Sequence, residues 1–145
     1  KLVTQVKQRM VAHAPAETTL AVIDGSPGIG CPVIASISGA ALVLVVTEPS
    51  LSGLSDLQRI VRTASQFRAK LAVCINKYDT NLPNTERIEA YCQAEGLPCL
   101  GRIPFDPKAG EAINQGLTVV DMPCVAGEAI TAIYEQVVTL MGLNA

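Results

Sequence analysis

Two loops in this chain carry side chains suited to holding a nucleotide. The first is Asp24 to Gly28 (DGSPG), continuing through IGCPVIA to Ala35. An aspartate that ends an apolar run can accept hydrogen bonds from Mg²⁺-bound water, because a hard cation prefers oxygen and keeps part of its hydration shell. Past Gly25, Gly28 and Gly30 let backbone amides approach a γ-phosphate, and Pro27 stiffens the turn so that phosphate loss can move it as a switch. The same residues also suit an ordinary loop leading into a helix. The second loop, Asn76 to Asp79 (NKYD), has the spacing by which an Asn amide bonds a purine edge while a Lys stem lies along the ring. A carboxylate at Asp79 matches the donor pair of guanine, so the motif taken alone suggests GTP. A plain polar loop is the other reading.

What these loops lack is a phosphate cradle. No stretch of the form GxxxxGK[ST] occurs, so the backbone nest, the lysine and the Mg²⁺-binding hydroxyl of a P-loop are missing from this sequence. The chain opens at Lys1 and runs straight into a helical pattern, which reads as the C-terminal half of a nucleotidase domain, one domain over residues 1–145.

Composition narrows the class. Hydrophobic residues make up 49% of the 145 and aromatics 3%, so the core must be aliphatic, as in a parallel sheet covered by helices. The net charge of −2 comes from scattered acids and bases, which leaves no basic stripe for nucleic acid. No apolar run approaches the roughly 20 residues needed to cross a bilayer, and the amphipathic start is unlike a signal peptide; a cytoplasmic protein is expected. Five cysteines, at 31, 74, 92, 99 and 124, form no CxxC grouping and are read as reduced, packed thiols, with Cys31 at a helix start open to redox sensitivity. The single histidine, His13, has no nucleophile partner, which argues against a triad hydrolase.

The elements that must position the loops alternate. Val3, Val6, Met10 and Val11 share a helical stripe that dissolves at His13 to Pro15. Leu20 to Asp24 reads as a buried strand, Cys31 to Ser38 as a short helix and Ala41 to Thr47 as a second strand. Leu54, Leu57, Val61, Ala64 and Phe67 repeat at helical spacing, with Arg59, Arg62 and Arg68 on other faces. A strand over Leu71 to Asn76 follows, then a helix capped by Asn84 and ended by Gly96, a weaker strand at Leu100 to Ile103, a short helix at Lys108 to Asn114 and a closing helix from Val125. Four parallel strands would bring Asp24, Thr47, Glu48, Asn76 to Asp79 and Pro104 to one rim outside their carboxyl ends, where such sheets hold ligands. Glu48 and Asp106 are read as turn or capping residues near that rim.

The segments VIDGSPGIGCPVIASISGA, LVLVVTEPSLSGLSDLQRI, AVCINKYDTN and GRIPFDP together resemble the MinD/ParA-type P-loop ATPases, and most of all the MinD-superfamily group with an inserted ferredoxin domain. The resemblance implies an α/β fold in three layers, a parallel sheet flanked by helices. It implies that Asp24 is the Walker B aspartate with water-mediated Mg²⁺, that Gly25, Pro27 and Gly28 form the γ-phosphate switch, and that Asn76, Lys77, Asp79 and Pro104 border the base. Asp56 aligns with an acid near the ATP-dependent dimer interface. Family precedent moves the expected base from guanine to adenine in spite of Asp79. In the intact protein it implies ATP and Mg²⁺, a homodimer and an iron–sulfur or redox partner, with [4Fe-4S] clusters held only by the inserted segment. The chain alone, without Walker A loop or cluster cysteines, is not expected to hydrolyse ATP efficiently. In that family the P-loop strand lies between those matching Leu20 to Asp24 and Ala41 to Val46, so here the two must either pair directly or leave open edges. A GTP-reading domain and a non-catalytic α/β interaction module are the alternatives.

Overall fold

The computed structural model describes residues 2–28, 30–67 and 69–143. Ile29 of the first loop and Arg68 of the arginine set lie outside the described residues. Among the described residues six helices and three strands follow in the order α1 (Leu2–His13), α2 (Cys31–Ile37), β1 (Leu42–Thr47), α3 (Leu51–Ala64), β2 (Lys70–Asn76), α4 (Leu82–Ala94), β3 (Cys99–Ile103), α5 (Lys108–Asn114) and α6 (Val125–Leu140). Single 3₁₀ turns at Tyr78–Thr80 and Val119–Asp121 shape the loops before α4 and α6.

The sheet is parallel, in the order β1-β2-β3. Its alternate side chains separate two cores. On one face Val45, Val73 and Ile75 pack against Leu57 of α3 and Ile88 and Cys92 of α4. On the other, Ala72, Cys74 and Leu100 pack against Ile133 of α6. Leu57, Ile75 and Ile88 are fully buried, and each contributes roughly 1.5–3 kcal/mol relative to an exposed position. The three layers expected from the sequence are therefore present, and no helix among the described residues is long and apolar enough to cross a membrane.

Two expectations are corrected. Residues 20–24 form no strand, so the sheet has three strands rather than four. A short apolar run is stable as a strand only when a neighbour satisfies its backbone; here Val22 is 83% exposed and β1 keeps an unpaired edge. Of the two outcomes open to that segment, direct pairing and an open edge, the second is found. The cap of α4 is Asn81, whose side chain accepts Asn84 N–H at 3.1 Å, not Asn84 itself. Pro83 explains the difference: it lacks an N–H and suits the first turn of a helix, so α4 begins ahead of it.

Candidate functional site

The carboxyl ends of the three strands lie side by side, because Thr47 is in register with Ile75 and Asn76 with Ile103. The loops leaving those ends are cross-tied. Lys77, which takes the left-handed conformation at φ 51°, places its Nζ 2.8 Å from Glu48 Oε1. Asp79 Oδ1 accepts the backbone N–H of Phe105 at 2.8 Å, fastening the loop after β2 to the loop after β3. Asn84 Nδ2 donates to the Pro49 carbonyl at 3.3 Å, and the fully buried Thr85 donates through Oγ1 to the Tyr78 carbonyl at 2.7 Å.

Within this frame the Asn76 side chain is half-buried at the end of β2 and makes no hydrogen bond to another described residue. Pro104, also half-buried, follows β3 directly. Asn76, Lys77, Asp79 and Pro104 are thus brought together, with a free amide and an engaged carboxylate. Beside them α3 approaches β1 closely. Ser50 caps that helix by accepting Gly53 N–H at 2.9 Å, and a Cβ at Gly53 would collide with the Glu48 carbonyl oxygen.

The first loop is not part of that constellation. Asp24, Gly25, Pro27 and Gly28 are exposed in irregular backbone, with Gly28 at φ 90° where a side chain would be strained. A Cβ at Gly25 would lie 3.7 Å from Ser36 Cβ, so the loop rests on α2. Asp56 is exposed on α3 and has only Arg59 Nη1 at 4.0 Å, a spacing that contributes little in water.

Asp106, expected as a turn or capping residue, lies in the turn before Pro107, the N-cap of α5. Its carboxylate accepts Lys108 N–H at 3.0 Å and Ala126 N–H at 3.3 Å, which ties the loop after β3 to the start of α6. Those donors, led by the Lys108 amide, hold the Asp106 carboxyl below the usual range. Sequence reasoning missed the Glu48–Lys77 pair and the Asp79 tether, since neither partner set is local. It also missed Arg102, which grips Glu89 through Nε at 2.6 Å and lies 5.5 Å over the Tyr78 ring beside the rim.

Asn76 and Pro104 present an amide and an apolar edge at this rim. The sequence holds no stretch of the form GxxxxGK[ST] beside it.

Comparison with known proteins agrees with the architecture. No protein-family model matches the chain. It is 26% identical over 136 residues to an uncharacterised protein of Methanocaldococcus jannaschii, covering 94% of this chain and 45% of that protein. It is 27% identical over 101 residues to an uncharacterised ATP-binding protein of the same organism, covering 70% of this chain and 38% of the relative. The chain therefore spans less than half the length of these relatives. Among solved structures, the MinD cell division protein of Aquifex aeolicus superposes with a TM-score of 0.75 at 20% identity, covering 99% of this chain and 61% of that one. The Pyrococcus furiosus cell division ATPase MinD gives 0.76 at 20% identity, covering 95% and 57%. The parallel three-stranded sheet between helices thus has a MinD-like fold.

Proposed function

We propose that the chain is the C-terminal, base-contacting part of a MinD-like P-loop ATPase domain. The observation that carries this reading is the pairing, at the carboxyl rim of a MinD-like sheet, of an unengaged Asn76 amide with an Asp79 carboxylate already committed to Phe105 N–H. An amide presents both a donor and an acceptor, as the adenine edge requires. A carboxylate held as an internal tether is poorly placed to receive the two guanine donors, so ATP is favoured over GTP. A relative that is an ATP-binding protein supports the same nucleotide.

In this reading Asn76 contacts the base, the Lys77 stem and Pro104 border it, and Asp24 orients Mg²⁺-bound water while Gly25, Pro27 and Gly28 follow the γ-phosphate. Bound Mg²⁺ supplies charge neutralisation at the phosphates. The unpaired edge of β1 takes the P-loop strand, and Leu20 to Asp24 becomes a strand on its far side. Hydrolysis then belongs to the intact protein and not to this chain, with Asp56 at the interface of an ATP-dependent homodimer. Association with iron–sulfur clusters and a redox partner is proposed for the inserted segment of such a protein alone.

Calorimetric titration with MgATP and MgGTP at one salt concentration tests the reading. Binding that prefers ATP and weakens in Asn76→Ala supports it. Preference for GTP, or affinity unchanged in both Asn76→Ala and Asp24→Ala, contradicts it.

A further inference from the structure

Two cysteines that the nucleotide reading does not use meet beneath the amino end of β3. Val73 of β2 is paired with Cys99, and Cys74 with Gly101, so Leu100 is an extra residue that bulges the strand. Partners in a parallel ladder project to the same face. Cys99 therefore shares the face of Val73, the one covered by α4, where Cys92 packs in the same cluster as Val73. There the two thiols are near enough for each to alter the other's proton affinity. The two differ in access: Cys92 is 1% exposed, whereas Cys99 is open to solvent. The turn between them is held by Leu97 N–H to Cys92 O at 2.8 Å, and Pro98 O accepts Val73 N–H at 2.8 Å, so both ends are fixed to the core.

We propose that Cys92 and Cys99 form a reversible thiol–disulfide site, with exposed Cys99 as the attacking thiol, buried Cys92 as the resolving thiol and a low-molecular-mass disulfide as the co-reactant. The division of roles follows from access, since a small disulfide reaches only Cys99, while Cys92 reaches only what is already bonded to Cys99. The electrostatics agree. The neighbouring Cys92 thiol, with help from the Gly101 amide and against partial burial, brings Cys99 down to about 7, and the Cys99 sulfur and burial push Cys92 up. Cys74 lies on the opposite face, beside Leu100 and Ile133, where burial raises it to about 11.

In the first step the Cys99 thiolate attacks one sulfur of the small disulfide. A mixed disulfide forms and one small thiolate leaves. In the second, the Cys92 proton passes to that thiolate and the Cys92 sulfur attacks Cys99 Sγ, expelling the other small thiolate. Two cysteine thiols are oxidised by two electrons and one small disulfide is reduced to two thiols. The product links the end of α4 to the start of β3 through a short loop and raises the unfolding temperature reversibly.

The test is exposure of the fully reduced chain to oxidised glutathione, followed by thiol counting and peptide mass mapping without reductant. The expected result is loss of two thiols per chain, a peptide pair joined through Cys92 and Cys99, and recovery on adding a dithiol. Cys92→Ala stops at a glutathione adduct on Cys99, and Cys99→Ser leaves Cys92 unmodified. A wild-type chain that keeps all its thiols, reacts only at Cys31, or accumulates the Cys99 adduct without joining Cys92 overturns the proposal.

Discussion

Asp79 Oδ1 lies 2.8 Å from the backbone nitrogen of Phe105, so the last residue of the NKYD motif joins the loops after β2 and β3. The motif that by itself suggests guanine is used here as a clamp. Asp79→Ala should cost about 1 kcal/mol of folding stability, the usual net worth of such a bond, while leaving the proposed preference for ATP over GTP in place. Denaturant unfolding and paired titrations with the two nucleotides check both halves. A switch in base preference without loss of stability would show that Asp79 reads the base after all.

Thr85 supports the same loop from inside. It is fully buried and its Oγ1 donates to the Tyr78 carbonyl at 2.7 Å. Thr85→Val keeps the shape and removes the donor, leaving a carbonyl short of its partner. A loss of roughly 1–3 kcal/mol is expected from unfolding curves, larger than for Asp79→Ala because the site is dry.

Gly53 marks the tightest approach in the rim, where α3 begins against the end of β1. An added methyl would meet the Glu48 carbonyl oxygen, which is backbone and cannot swing aside. Gly53→Ala should therefore destabilise by roughly 1–3 kcal/mol through overpacking, despite the better helix propensity of alanine. Equal or higher stability in thermal unfolding would mean that α3 can move away from β1.

Cys99 should show a distinct pH response. Its folded value of about 7 lies below its ordinary 9.0, so the reactive thiolate is lost as pH falls through about 7 and present above it. Carbamidomethylation by iodoacetamide should accordingly rise around neutrality at Cys99, while Cys92, pushed up and buried, stays unlabelled across the same range. In Cys92→Ala the neighbouring thiol is gone and the Cys99 profile should move to higher pH.

Much of the fold was legible because its signals are local. The aliphatic runs ending at Thr47 and Asn76 became β1 and β2, and the spacing of Leu54, Leu57 and Val61 produced α3 as expected. Leu20 to Asp24 has a similar composition yet stays irregular, because a strand is a property of a pair and no described strand lies beside it. The site was legible in part for the same reason. Strand ends predict a rim, but whether Asp79 faces a ligand or Phe105 depends on a loop 26 residues away, and the meeting of Cys92 with Cys99 depends on a bulge at Leu100 that no periodicity reveals.

The central claim, a base-reading rim without its phosphate cradle, is tested most directly by following backbone amide NMR shifts as adenosine, ATP with Mg²⁺ and guanosine are added in turn. Shifts are expected at Asn76, Lys77, Asp79 and Phe105 that are similar for adenosine and MgATP and weaker for guanosine. Shifts that avoid this rim, favour guanosine, or require the triphosphate would contradict it.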